Sequence, residues 1–122
     1  MAKSHSSTIL CIGDDPLRLN LRCSFLKANG WCVLSAGSGH EGIIRCGQEP
    51  VDAVVLDLNN DGAESALVAG EVKRLRPKLK VIMLLDEDHK MAKDATRLAD
   101  AVARRSSNGE ALLRALSILD AA

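Results

Sequence analysis

The chain has 122 residues, 47% of them hydrophobic, and its 16 basic residues balance 16 acidic ones. This length supports one domain with a core, and the neutral net charge excludes a bulk attraction to nucleic acid or an anionic membrane. One Phe, one Trp and no Tyr leave few platforms for stacking nucleic-acid bases. No apolar run reaches the roughly 18 residues of a membrane span, and residues 1–7 lack a signal core. We therefore expect a cytoplasmic protein with a flexible tail (1–7) and one domain (8–122).

The first half of the chain alternates apolar runs with helical patterns. Residues 8–13 (TILCIG) and 31–35 (WCVLS) are short and apolar, which predicts two buried strands. Between them, apolar residues recur at helical spacing from Pro16 onward: Leu17, Leu21, Phe25 and Leu26. Ser38 and Glu41 form an S-x-x-E capping box, which predicts the start of a second helix.

The second half repeats the alternation. Residues 51–57, 80–85 and 99–103 predict three further strands, and a helix stopped by Pro77 separates the first two of these. We expect one side of that helix to be lined by Leu67, Val68, Val72 and Leu75. Residues 86–98 predict a loop and a weak helix. A second capping box, Ser107 to Glu110, precedes an amphipathic last helix.

The four cysteines do not form a recognisable metal or redox motif. No two of them have C-x-x-C spacing, and no His completes a zinc site. We expect buried free thiols, since free cysteine packs as a small hydrophobe. The residues concerned are Cys11, Cys23, Cys32 and Cys46.

Strands alternating with helices predict parallel βαβ units, hence an α/β three-layer sandwich around a parallel sheet. In open sheets of this kind, sites form beyond the carboxyl ends of the strands, where the strand order reverses. For five strands in the order 2-1-3-4-5, that point lies between the first and third strands. Asp14 and Asp15 follow the first strand and Asp57 ends the third, so we expect these three carboxylates to converge.

Clustered carboxylates suit a hard cation such as Mg²⁺. A carboxylate can also accept a phosphoryl group when positive charge neutralises the group being transferred, and Asp57 is the best placed nucleophile. The alternative is that these acids only cap helices and face solvent.

Several segments resemble the receiver domain of two-component response regulators. They are ILCIGDDP (9–16), DAVVLD (52–57), KRLRPKLKVIML (73–84) and EALLRAL (110–116). The resemblance implies a flavodoxin-like (βα)5 fold of order 2-1-3-4-5. It also implies that Asp57 accepts a phosphoryl group from a sensor histidine kinase or phosphotransfer protein. Mg²⁺ would be bound by Asp57, Asp14 and the backbone carbonyl of Asn59, with Asp15 as a further candidate.

The chain departs from the receiver pattern at several positions. Gly13 stands where the family has the first acid of its pair, and Leu85 stands where a Thr or Ser hydroxyl should contact the phosphoryl group. Val102 takes the place of the switch aromatic. Arg105 corresponds to the family's lysine; arginine keeps the charge but differs in reach and geometry.

Two other functions compete with a phosphate-accepting signalling module, which would itself not be an enzyme. A degenerate receiver would act as a phosphorylation-independent protein-binding module, which Gly13, Leu85 and Val102 favour. A small flavodoxin-like enzyme or nucleotide binder would need a glycine-rich phosphate loop, and no strand is followed by one. For a receiver we also expect an unidentified downstream protein and a possible homodimer.

Overall fold

The computed structural model describes residues 7–58, 63–85, 97–105 and 109–119. Within these ranges the chain forms five strands, four α-helices and one short 3₁₀ helix. The strands are β1 (Thr8–Gly13), β2 (Cys32–Ala36), β3 (Ala53–Asp57), β4 (Lys80–Leu85) and β5 (Ala101–Arg104). The helices are α1 (Pro16–Ala28), α2 (Gly39–Gln48), α3 (Ala63–Leu75) and α4 (Glu110–Leu116), and the 3₁₀ helix is Ser117–Leu119.

The five strands are all parallel and follow the order β2-β1-β3-β4-β5. This confirms the predicted order, and the bounds of β4 match the predicted strand. The observed β2, β3 and β5 begin one or two residues later than predicted. The predicted loop and weak helix fall mainly in residues 86–96, outside the described residues.

Alternation along the strands divides the core between the two faces of the sheet, because successive side chains point in opposite directions. One cluster joins the sheet to α2 and α3 and is centred on Leu10, Ile12, Val54, Leu56, Val81 and Met83. The other joins the sheet to α1 and α4 and is centred on Ile9, Cys11, Val55, Ile82 and Leu84. All of these residues are at least 96% buried, so the helices cover both faces and produce the expected sandwich.

The helix starts follow their capping chemistry. Asp15 caps α1 by accepting hydrogen bonds from the amides of Leu17 and Arg18, with Pro16 at the first helical position. Ser38 accepts from the amide of Glu41, which confirms the predicted start of α2, and Glu41 Oε2 accepts from the amide of Gly37. The second box is not what starts α4: Gly109, in the left-handed region at φ 87°, is its cap and makes no side-chain cap hydrogen bond. Ser107 itself lies outside the described residues.

In α1 and α3, several leucines that were predicted to face the core are exposed. Leu17 and Leu21 of α1 are 70% and 63% exposed, and Leu67 of α3 is 73% exposed. Leu75 is also exposed, so the predicted inner line of α3 is correct only for Val68 and Val72. The inward-facing positions of α1 are instead occupied by Cys23 and Leu26 and, at the end near Asp57, by arginines. Three of the four free cysteines are buried as expected; Cys32 is exposed.

Candidate functional site

Asp57 is the last residue of β3 and lies at the carboxyl edge of the sheet. Its register partner on β1 is Gly13, which places it at the point where the strand order reverses. The side chain is only 2% exposed. A buried carboxylate needs compensating partners because desolvation of an ionised group is costly.

Three arginines provide that compensation. Arg105 Nε donates to Asp57 Oδ1 at 2.5 Å, and Arg22 Nη1 lies 2.8 Å from Oδ2. Arg18 Nε lies 3.6 Å from the same Oδ2, too far for a hydrogen bond. The Arg105 and Arg22 side chains are 12% and 11% exposed, so their contacts with Asp57 are mostly shielded from solvent.

Two elements deliver these guanidinium groups. Arg18 and Arg22 are four residues apart on α1, so they share one face of the helix, and α1 runs directly from the end of β1. Arg105 follows β5, and its amide donates to the carbonyl of Leu85 at 2.9 Å. The carboxyl ends of β1, β3 and β5 therefore determine where the charges meet. We call Asp57, Arg18, Arg22 and Arg105 the arginine–aspartate cluster.

In the described part of the chain, the two acids after β1 do not form a metal-type group of three carboxylates with Asp57. Asp15 uses Oδ1 to cap α1, accepting from the amides of Leu17 and Arg18 at 3.1 and 3.2 Å. Its Oδ2 lies 3.8 Å from Arg18 Nε. Asp14 is exposed. Asp15 and Asp57 thus both approach Arg18, and the contacts described for the buried Asp57 carboxylate are with cations.

The donor set does not fit a magnesium ion. Both oxygens of Asp57 contact guanidinium groups, Asp15 is engaged by the helix, and Gly13 contributes no side-chain oxygen. Within the described ranges, no three Asp, Glu, His or Cys side chains are grouped as a metal site would require. Asn59, expected to supply a carbonyl, lies outside the described residues.

One arginine has unused hydrogen-bonding capacity beside Asp57. Arg18 Nε and Nη2 are buried atoms that find no hydrogen-bond partner in the described part of the chain. Buried donors without acceptors are rare and costly. Their position next to a buried carboxylate marks a place where an anionic oxygen would be stabilised.

Two positions at which the sequence departs from the receiver pattern, Leu85 and Val102, lie on neighbouring strands of the sheet. Leu85 ends β4 next to Arg104 of β5, and its aliphatic side chain offers no hydrogen bond to a phosphoryl group. Val102 lies on β5 and is 45% exposed.

A pair of thiols lies on the same side of the sheet as α1. Cys11 of β1 hydrogen-bonds Cys23 of α1, and this bond, together with burial, raises the pKa of Cys11 well above its usual value. The same bond lowers the pKa of Cys23 to about 7 against the opposing effect of burial, with further help from Lys27 and Arg22. Cys23 also lines a pocket of about 290 Å³ between α1 and β2.

Sequence reasoning anticipated Asp57 and Arg105 but missed Arg18 and Arg22. Their signal was present: two arginines one helical turn apart, directly after the acids that follow β1. Leu17 and Leu21 each stand one residue before one of these arginines. The apolar periodicity therefore predicts that the leucines face the core, and not the arginines.

Comparison with known sequences gives partial matches to transcriptional regulatory proteins. No family model matches the chain. The transcriptional regulatory protein GlrR of Escherichia coli is 34% identical over 76 residues, which is 62% of this chain and 17% of GlrR. The probable transcriptional regulatory protein TcrX of Mycobacterium tuberculosis is 27% identical over 81 residues, 66% of this chain and 35% of TcrX. The chain thus spans a minor part of these relatives.

Solved structures match the chain over nearly its whole length. The response regulator TrrA of Thermotoga maritima, in complex with Mg²⁺ and BeF, superposes with a TM-score of 0.83 at 26% identity, covering 93% of this chain and 98% of TrrA. A complex of the histidine kinase ThkA with TrrA matches with a TM-score of 0.82 at 25% identity, over 94% and 99% of the two chains. None of the helices in the described ranges is long and apolar enough to cross a membrane.

Proposed function

Because the chain is a receiver domain of the response-regulator type, we propose that it accepts a phosphoryl group on Asp57 and so acts in a phosphorelay. The observation that carries this proposal is the placement of one buried carboxylate at the switch point of the sheet, facing three guanidinium groups. A carboxylate there can act as nucleophile, and the arginines offer charge for the oxygens of the incoming group. In this role the chain is a phosphate acceptor and not an enzyme.

The donor in this proposal is the phosphohistidine of a sensor kinase or phosphotransfer protein. An Asp57 oxygen attacks phosphorus, the P–N bond breaks, and its electron pair stays on the imidazole, which then takes up a proton. The product is an aspartyl phosphate. The solved complex of a histidine kinase with the similar receiver TrrA supports a donor of this class.

The surface beside the site suits an approaching protein. Leu17 and Leu21 are exposed on α1, one residue before Arg18 and Arg22 respectively. Exposed leucines one helical turn apart form an apolar stripe that a donor helix can cover. A donor packed there would bring its imidazole close to Asp57. In the same role, the chain would act on a downstream protein and could form a homodimer.

Mg²⁺ is present with BeF in the similar receiver TrrA. The side chains around Asp57 in this chain do not fit that ion, and in the proposed transfer the positive charge comes from the arginines.

The test is phosphorylation of the purified chain by acetyl phosphate in a buffer containing Mg²⁺. Intact mass spectrometry measures the added phosphoryl group, and hydroxylamine, which cleaves acyl phosphates, identifies its linkage. Asp57→Asn should abolish the label. Asp52→Asn is the matched control, because Asp52 precedes the opposite end of the same strand and accepts a hydrogen bond from the Thr8 amide.

A single hydroxylamine-labile phosphoryl group that depends on Asp57 supports the proposal. Absence of label from the wild type, or label that survives in Asp57→Asn, refutes it. The chain would then be better described as a protein-binding module independent of phosphorylation.

A further inference from the structure

The charge around Asp57 is opposite in sign to that of a carboxylate metal site. Arg22 and Arg105 contact its two oxygens at 2.8 and 2.5 Å, and Arg18 is 3.6 Å away. In the described part of the chain, three guanidinium groups thus lie within 4 Å of the Asp57 carboxylate. An incoming phosphoryl group, which brings negative charge, therefore enters a region that is already cationic.

The position that would complete a metal site carries no side chain. Gly13 is the register partner of Asp57 across β1 and β3, so a carboxylate there would lie beside the acceptor. A Cβ at Gly13 would meet its nearest neighbours, the Asp57 carbonyl oxygen and Leu19 Cδ1, at 3.4 and 3.5 Å. These are ordinary contacts, so packing does not exclude a Cβ atom at Gly13.

The unpaired donors of Arg18 point to an anionic ligand. Nε and Nη2 are buried and find no hydrogen-bond acceptor within the described residues, and Nε lies 3.6 Å from Asp57 Oδ2. A guanidinium group binds phosphate oxygens in pairs through its fork of N–H groups. A phosphoryl group on Oδ2 would bring acceptor oxygens next to Arg18 Nε.

We infer that Arg18, Arg22 and Arg105 take the place of a divalent cation, so that Asp57 accepts a phosphoryl group without a metal ion. This inference rests on the proposed function. When the donor is an acyl phosphate, an Asp57 oxygen attacks its phosphorus. The bond from phosphorus to the donor's bridging oxygen breaks, and the donor's carboxylate leaves with the electron pair. Arg22 and Arg105 transfer their hydrogen bonds from the Asp57 oxygens to the phosphoryl oxygens, where the charge then lies.

The first experiment compares labelling rates with acetyl phosphate in Mg²⁺ and in EDTA. We expect the wild type to be labelled at similar rates in both buffers, and Asp57→Asn to be unlabelled. A rate that falls about tenfold or more in EDTA, the equivalent of one charge-assisted hydrogen bond, would overturn the inference while the proposed function stands. No labelling in either buffer would overturn both.

The second experiment removes one cation. Arg22→Met keeps the apolar stem and loses the charge, and we expect labelling about 10- to 100-fold slower, without rescue by Mg²⁺. Arg22→Lys should retain part of the rate, since it keeps the charge but not the fork. Arg45→Met is the matched control: Arg45 is also ion-paired, to Glu49 at 3.1 Å on α2, and its loss should leave labelling unchanged. Equal rates for Arg22→Met and the wild type would refute the inference.

The third experiment restores the missing carboxylate. Amide NMR with Mg²⁺ alone should show no saturable shifts around Gly13 and Asp57 in the wild type. Gly13→Asp should show them, and its labelling should become faster in Mg²⁺ than in EDTA. Saturable shifts at the site in the wild type, or a Gly13→Asp variant that stays indifferent to Mg²⁺, would contradict the inferred exchange of cations.

Discussion

Replacement of Asp57 by Asn tests the electrostatics of the site through stability alone. If Asp57 lay in a cluster of carboxylates, loss of its charge would relieve the repulsion between them and stabilise the fold. Among the arginines of this chain, the same change removes the charge that Arg22 and Arg105 contact, and the side chains of these arginines are only 11% and 12% exposed. We therefore expect Asp57→Asn to destabilise the protein.

The magnitude follows from the two short contacts. A hydrogen bond between charged groups contributes roughly 1.5–3 kcal/mol, and removal of one member of a buried ion pair costs about 3–5 kcal/mol. Asn keeps one carbonyl oxygen as an acceptor, and water reaches the arginines in part. The expected loss is thus about 2–4 kcal/mol, or a fall in Tm of the order of 10 °C for a domain of this size.

Urea unfolding followed by the fluorescence of Trp31 measures this loss. Trp31 is the only tryptophan of the chain and is 6% exposed, so its emission will report the loss of its buried environment. Asp52→Asn should change the free energy of unfolding far less, because its carboxyl group is more exposed and Asn retains the acceptor for Thr8. A stability of Asp57→Asn equal to or above that of the wild type would refute the reasoning about the arginine–aspartate cluster.

Three further predictions concern other residues. Burial opposes ionisation of Asp100, but hydrogen bonds from Lys73 and the Val81 amide outweigh it and lower its pKa. Its charge therefore stabilises the fold above about pH 3.9. Urea unfolding at several pH values should show that the difference in free energy of unfolding between wild type and Asp100→Asn shrinks as the pH falls below that value. A constant difference would contradict this. Iodoacetamide should modify Cys23 with a midpoint near pH 7, as its pKa implies, and peptide mass mapping that shows no reaction below pH 8 would exclude such a thiolate. Gly109→Ala should lower the free energy of unfolding by about 1–3 kcal/mol, because φ is 87° and a Cβ would lie within 2.3 Å of a side-chain carbon; unchanged stability would show that the turn relaxes freely.

Much of the fold was predictable because local chemistry and global topology agree. The buried runs of β1, β3 and β4 are aliphatic, and parallel strands joined by helices leave few topologies open. The Asp15-Pro16 and Ser38-Glu41 patterns specify helix starts through hydrogen bonds within a few residues. Information of this kind is present in any short window of sequence.

The orientation of α1 was not predictable from such a window. Leu17 and Leu21 stand next to Arg18 and Arg22 along the helix, so periodicity identifies two adjacent stripes without deciding which one faces inward. The leucines are the better choice by hydrophobicity. The choice is reversed because the buried Asp57 carboxylate, which comes from a strand more than 30 residues later, requires cationic partners.

The sequence by itself determined the alternation of strands and helices, the parallel sheet and the position of Asp57 at its carboxyl edge. These follow from hydrophobic periodicity and from capping and turn residues, which act over short distances along the chain. Only the tertiary structure decided which charges surround Asp57. Arg18, Arg22 and Arg105 reach it from two ends of the chain, and the balance between desolvation and ion pairing is defined only once all of them share one buried site.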